Sequence, residues 1–549
     1  MKNPVCTVVI LSFLLIQCGQ QKPALTEVAR DITITPANAF SELFLDSVQV
    51  EEFITSQELG DTAASRFRNF YNSRNYQFAW FTNDGLAEQA GVFWNLHNQY
   101  VDYAQDSTLV DQQLHDQMDM IYGDTALHAN PKTVTQTELR LTQHFFEYVR
   151  HAYAGKMDPE SLKWHIPRKK VDAVALLDSL IQKKGADPQS WEPLNKPYRA
   201  MKKELIRFYE LSKKGGWDSL PLIKGHTYKM GSSGDFILRF KNRLVFSNDF
   251  TDNDTTGEFT ESLRKAVKRV QKQFGYKQNG VINYTLIKAL NVPVNKRIEQ
   301  LLINMERMRW MPEEAGGERI IANIPEFKIH VFDDTSRVFE MDVVVGKAGN
   351  NTVVFNEDLK YIVFSPFWNV PKSIVKREIL PAMLLNSGYL ASKNMEQTGT
   401  SDGVPIIRQK PGGANALGRV KFLFPNSYNI YFHDSPAKSL FAREKRDFSH
   451  GCIRLAEPVK MAKYLLRNMP EWTDKKIADA MDTTVEKWVT LPKPVPVVIS
   501  YFTAWVDGEG LLNFREDIYN HDREMGARMF VTAKRQTTPG EINGKKKPG

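Results

Sequence analysis

Apolar residues recur at helical spacing as far as Pro312, and from about residue 319 they alternate or run continuously in short strand-length segments. A helix repeats every 3.6 residues or so and a strand every two, so the chain divides into a helical part and a β-rich part. In the helical part, TQTELRLTQHFFEYVRHAYAG (135–155) places Leu139, Leu141, Phe145, Phe146, Val149 and Tyr153 near one face, closed by Gly155. FYNSRNYQFAWF (70–81) is rich in aromatics that read as packing. RIEQLLINMERMRWMPE (297–313) carries Leu301, Met305 and Met308 and stops at Pro312. Strands follow at 319–334, 339–347, 359–371 and 429–433, and two apolar strands around Asp507-Gly508-Glu509-Gly510 span 495–514. Between them SIVKREILPAMLLNSGYL (373–390) reads as broken helix inside an insertion suited to capping a cleft. At about 100 to 200 residues per domain, 549 residues make several domains.

The N-terminus reads as an export signal. Lys2 supplies a positive start and Val5 to Ile16 an apolar stretch too short to span a bilayer. Leu15-Ile16-Gln17-Cys18-Gly19 resembles the lipobox of bacterial lipoproteins, in which the cysteine (here Cys18) is lipidated; a plain signal peptide with an incidental cysteine is the alternative. Residues 19–40 are polar with scattered proline, as a tether would be. Cys6 leaves with the signal and Cys18 carries lipid, so Cys452 is a lone thiol in an oxidising compartment, either buried and inert or used. The net charge of +8 is modest, and no long basic run with interleaved aromatics supports nucleic-acid binding.

The chemistry concentrates at 428–469. Strand-like Ile430-Tyr431-Phe432 delivers His433, sixteen residues intervene, and Ser449-His450-Gly451-Cys452-Ile453-Arg454 follows. A cysteine nucleophile needs an imidazole within reach to take its proton and return it to a leaving amine, and His433 and His450 are the candidates. In an extended segment His450 and Cys452 project to one side, and the Gly451 and Cys452 amides can face an oxyanion. Two other readings stand: His433, Asp434, His450 and Cys452 as zinc ligands, though without CxxC or HExxH spacing, or satisfied core histidines beside an inert thiol.

The array of His433, sixteen residues and Ser449-His450-Gly451-Cys452 resembles the active-site signature of the L,D-transpeptidases with a YkuD-type catalytic domain. NMERMRWMP (304–312), PFWNVPKSI (366–374), PGGANALGRVKFLFPN (411–426) and SYFTAWVDGEG (500–510) are similar to segments of the large multidomain Gram-negative branch. Residues 216–295 resemble a small three-helix peptidoglycan-binding module: Gln271, Gly280, Thr285 and Leu286 match, whereas Asn279 and Asn283 replace the usual Asp and Gly, so that glycan binding and a spacer role both stand.

The resemblance implies a multidomain α+β protein. Its parts are a signal (1–18), a tether (19–40), a helical scaffold domain (41–215), the peptidoglycan-binding-like module (216–295), a mainly β catalytic domain (296–525) with a helical capping insertion (373–403), and a basic flexible tail (526–549). It implies Cys452 as nucleophile, His433 as general base and acid, and Ser449, His450 and Gly451 as shapers of the loop and oxyanion hole. Arg454 suits a substrate carboxylate or braces the loop; Asn415 and Gly418 line the cleft or form a turn; Trp368 and Tyr431 line its walls or pack beside it. The implied reaction joins diaminopimelate residues of neighbouring stem peptides through a thioester, with no metal or nucleotide cofactor. The implied partners are peptidoglycan stem peptides and glycan, and a membrane through lipid on Cys18, with the protein in the periplasm. An L,D-carboxypeptidase using the same residues and a non-catalytic wall-binding lipoprotein are the alternatives.

Overall fold

The computed structural model describes residues 27–530 apart from 105, 124–129, 188–191, 223 and 313–315. Cys18, the export signal and the tail beyond 530 lie outside the described residues. Two compact units form. The first draws on residues 27–102, 106–149, 172–187 and 192, the second on 103–104, 150–171 and 193–530. Residues 150–171 and 193–215, grouped with the helical part by their period, pack in the second unit; period shows which face is buried and not against what.

The first unit is helical, with Asp61–Asn72 and Pro131–Val149 presenting Phe67, Phe70, Tyr71, Phe145 and Phe146 to one another. Trp80 and Phe93 complete an aromatic core, so the 70–81 aromatics pack as their sequence suggests. Glu138 is fully buried there, and its carboxylate accepts from the Ala79 and Trp80 amides at 2.6 and 2.9 Å and from the Tyr71 hydroxyl at 3.1 Å. Burial pushes that carboxyl up to about 7 against these donors.

Within the second unit, helices Asp235–Phe246, Glu261–Gln273 and Tyr284–Leu290 close over Ile237, Phe240, Leu263, Val267, Val270 and Leu286. Gln271 ties the turn: it donates to Asn279 Oδ1 and the Val281 carbonyl and accepts from the Gly280 amide. The two residues that depart from the module pattern have structural work, since Asn279 Oδ1 accepts from Val281 N and Asn283 caps the following helix through Leu286 N. Helix Val294–Trp310 then carries Asn304 to Thr503, Arg307 to Asp522 and Arg309 to Glu306, ion pairs and hydrogen bonds buried with their partners.

The catalytic part is one curled sheet. Its order runs Val420–Leu423, Phe432–His433, Ile453–Leu455, Ser336–Gly346, Lys328–Asp333, Arg319–Asn323, Lys487–Ser500 and Val354–Phe364, with Trp164–His165 at the far edge. Val420–Leu423 also pairs with Val354–Phe364, so the sheet closes on itself. Inside lie Ile329, Val343, Val345, Ile362, Phe364, Phe422, Phe432, Ile453 and Leu455, joined by Met461 and Leu465 of helix Pro458–Leu465. The insertion has its own small core of Val370, Ile374, Val375, Ile379, Val404 and Ile407. Its first half is broken helix (Lys372–Ile374, Val375–Ile379, Leu380–Leu385), as its sequence indicates. Its second half is a hairpin, Met395–Ser401 with Val404–Gln409, that Trp368–Asn369 extends to three strands. Helix His521–Met529 buries Met525 and runs into the segment read as tail.

Candidate active site

Strand pairing assembles the site. Phe432–His433 and Ile453–Leu455 run parallel, with Phe432 across from Ile453 and His433 across from Arg454. Alternation puts Cys452, His433, Arg454 and Tyr431 on one face while Phe432, Ile453 and Leu455 enter the core on the other. Strand spacing and rise put the α-carbons of His433 and Cys452 about 8 Å apart. Lys421 lies across from His433 on the next strand, with its ammonium 3.7 Å from Glu486.

His433 is buried, and its Nδ1 lies 2.5 Å from the Asp434 carbonyl oxygen. A carbonyl only accepts, so Nδ1 carries the hydrogen and the neutral ring keeps its lone pair on Nε2. Burial and the neighbouring Arg454 cation push the imidazole down to about 4, against the pull of the Asp434 and Leu417 carbonyls and the Asp434 charge, so it is neutral at pH 7. The Asp434 carboxylate is itself held by the Arg419 and Ser435 amides and by Lys438 Nζ at 2.9, 2.7 and 2.6 Å. Gly418 makes room for it: its φ is +64°, and a Cβ there would stand 2.4 Å from Asp434 Cγ.

Cys452 is a free, half-buried thiol whose Sγ donates to the Asn429 carbonyl at 3.5 Å. Burial pushes it up to about 11; the Tyr431 backbone N–H and hydroxyl and the Arg454 charge act the other way by stabilising the thiolate. The resting pair is therefore a thiol and a neutral imidazole. Arg454 Nε is buried without a hydrogen-bond partner, and no carboxylate pairs with this guanidinium among the described residues.

The loop before Cys452 is clamped. The Ser449 hydroxyl donates to the Cys452 carbonyl at 2.5 Å and accepts from the Gly451 amide at 3.1 Å, and Thr352 donates to the Gly451 carbonyl at 2.8 Å. The Gly451 amide, expected to face an oxyanion, is thus engaged by Ser449. Gly451 has φ +121°, which interrupts the extended alternation that would put His450 beside Cys452. The exposed His450 ring instead meets Glu378 of the capping insertion at 2.8 Å. Asn415 is buried and fully used in a turn: its amide donates to the Pro366 and Lys410 carbonyls, and its oxygen accepts from Leu417 N. Trp368 packs against the core of the insertion, while Tyr431 stands with its ring 5.8 Å from His433. Among the described residues no three His, Cys, Asp or Glu side chains gather as a metal site requires.

Sequence reasoning missed Glu378, Lys421, Thr352 and the Asn429 carbonyl. None has a local motif; each reaches the site through pairing distant in sequence. The Tyr431 alternation with His433 was visible, but its hydroxyl's aim at the sulfur was not.

Residues 317–499 match a family model described as L,D-transpeptidase catalytic domain, 65–205 one described as scaffold domain, and 233–290 one described as "Putative peptidoglycan binding domain". A curated protein of Haemophilus influenzae described as "Putative L,D-transpeptidase" is 29% identical over 256 residues, 43% of this chain and 51% of that protein, so the chain matches about half the length of this relative. Among solved structures, an L,D-transpeptidase from Mycobacterium smegmatis is 13% identical over 34% of this chain and 59% of that one, with a TM-score of 0.20. L,D-transpeptidase 3 from Mycobacterium tuberculosis is 15% identical over 34% of this chain and 61% of that one, with a TM-score of 0.18. Residues 317–499 thus match the YkuD-type L,D-transpeptidase catalytic domain.

Proposed function

We propose that this protein is a peptidoglycan L,D-transpeptidase working through a Cys452 thioester. The observation that carries the proposal is the shared face of Cys452 and His433, with the imidazole held neutral and its Nε2 lone pair available.

The Cys452 proton passes to His433 Nε2 as Sγ attacks the carbonyl of the diaminopimelate residue in a tetrapeptide stem. The oxyanion that forms accepts from the Cys452 amide, since the Gly451 amide is engaged by Ser449. His433 then returns the proton to the departing D-Ala amine as the C–N bond breaks, leaving the thioester. A side-chain amine from a second stem attacks that thioester, loses its proton to His433 and expels the Cys452 thiolate, which takes that proton back from His433. Tyr431 and Arg454 favour the thiolate, and Arg454 is also placed to pair with a stem carboxylate. The 373–403 insertion, tied to the catalytic loop through Glu378 and His450, shields the thioester from water.

The wall-facing parts fit this role: the scaffold and peptidoglycan-binding modules carry the catalytic domain along its polymer. From Leu15 to Gly19 the sequence supports lipid on Cys18, hence a periplasmic, membrane-tethered enzyme. Incubating purified protein with tetrapeptide stems and analysing the muropeptides tests the function. Cross-linked dimers are expected; shortened monomers without dimers would make it a carboxypeptidase.

A further inference from the structure

The capping insertion ends in a tip that its own core leaves out. Its helical run from Lys372 to Leu385 buries Ile374, Val375 and Ile379, and Leu380, Met383, Tyr389 and Leu390 pack partly against that core. Leu384 and Leu385 do neither. They close the last helix, ahead of the Asn386-Ser387-Gly388 turn, and are 89% and 90% exposed, more than any other large apolar side chain among the described residues. Two adjacent leucines left in water gain by being covered.

The charges around this tip are of one sign. Residues 372–410 hold six Lys and Arg against three acids, and each acid is already paired: Glu378 with His450, Asp402 with Lys372, and Glu396 with both Arg408 and Lys410. Lys376 and Arg377, about two helical turns before the leucines, and Lys393 beyond the turn are exposed and have no ion pair among the described residues. A second copy of this chain would bring the same cations to the same place. The two leucines also offer an apolar surface on the order of 300 Å², well short of the roughly 800 Å² per partner that a stable protein interface buries. A bilayer asks for less, since a few apolar side chains sunk about 5–10 Å, with basic neighbours at the headgroups, suffice for interfacial attachment. The six-residue helix Leu380–Leu385 is too short to cross one, so such a contact stays at the surface.

We propose that the tip of the capping insertion docks on a bilayer surface bearing anionic phospholipid, with Leu384 and Leu385 at the acyl boundary and Lys376, Arg377 and Lys393 at the headgroup phosphates. This contact is separate from lipid on Cys18 and does not require it. Nothing in it depends on acyl transfer at Cys452.

Hydrogen exchange of the full chain, with and without vesicles of phosphatidylcholine and phosphatidylglycerol at three to one, tests it, with vesicles of phosphatidylcholine alone for comparison. The readout is local to the tip, so any attachment at the N-terminus, common to every variant, does not enter it. Exchange at residues 380–393 should slow about tenfold on the anionic vesicles and much less on the neutral ones, and added salt should reverse part of the protection. Leu384→Ser with Leu385→Ser, both exposed and therefore expected to melt as the wild type does, should abolish the protection. Lys376→Gln, Arg377→Gln and Lys393→Gln together, which keep the leucines, should remove the preference for anionic vesicles. Exchange at 380–393 that vesicles leave unchanged, equal protection by neutral vesicles, or full protection in either variant would overturn the proposal. So would a dimer in sedimentation equilibrium that the serine variant dissolves, which would give the tip to a second copy of the chain.

Discussion

The Nδ1 of His433 stands 2.5 Å from the carbonyl oxygen of Asp434, and this one contact decides which ring nitrogen is free to act as a base. With the ring pushed down to about 4 by burial and Arg454, it stays neutral through the physiological range. An unfolded histidine titrates near 6.5 or so, so between about 4 and 6.5 the unfolded chain binds the extra proton and stability falls on acidification. Urea unfolding of the second unit at pH 7 and pH 4 should show the wild type losing up to about 3 kcal/mol more than His433→Gln. Comparison with the variant removes the contribution of His97, which is pushed down into the same window.

Because the Cys452 thiol is pushed up to about 11, its alkylation by iodoacetamide should keep rising with pH beyond 9 and show no plateau between pH 6 and 8. The Tyr431 hydroxyl stabilises the thiolate, so Tyr431→Phe should slow alkylation at pH 8 about tenfold, as loss of one hydrogen bond to a charged group would.

Gly418 has no space for a methyl group and a backbone that disfavours one. Gly418→Ala should lower unfolding free energy by about 2 kcal/mol or more and slow acylation of Cys452, because Asp434 shifts and takes the His433 ring with it.

Glu378 and His450 join the insertion to the catalytic loop through an exposed pair, with side chains 52% and 38% accessible. Such a pair contributes little to global stability, so Glu378→Gln should change it by less than about 1 kcal/mol. Hydrogen exchange in residues 373–392 should nonetheless quicken, reporting a looser cap.

Much of this architecture is legible along the chain. The change of period at 319 separates helices from strands because buried faces impose it, and the spacing from His433 to Cys452 is set by two adjacent strands and the loop between them. What is not legible depends on partners distant in sequence or on exposed polar strands. The Met395–Ser401 strand has no apolar alternation, since both of its faces are largely exposed, and it hides within a segment that begins as helix. Closure of the sheet rests on Val420–Leu423 meeting Val354–Phe364, which no local pattern announces. The loop chemistry is similar: residue types suggested two oxyanion amides, but the Ser449 hydroxyl is near enough to engage the Gly451 amide, and a positive φ turns His450 toward Glu378.

Intact-mass spectrometry after incubation with a tetrapeptide stem or a carbapenem tests the assignment of Cys452 and His433 most directly. One acyl adduct is expected on the wild type, mapping to Cys452 on digestion, with none on Cys452→Ser and formation slowed by about a hundredfold or more in His433→Ala. An adduct that persists in Cys452→Ser, or acylation at the wild-type rate in His433→Ala, would contradict it.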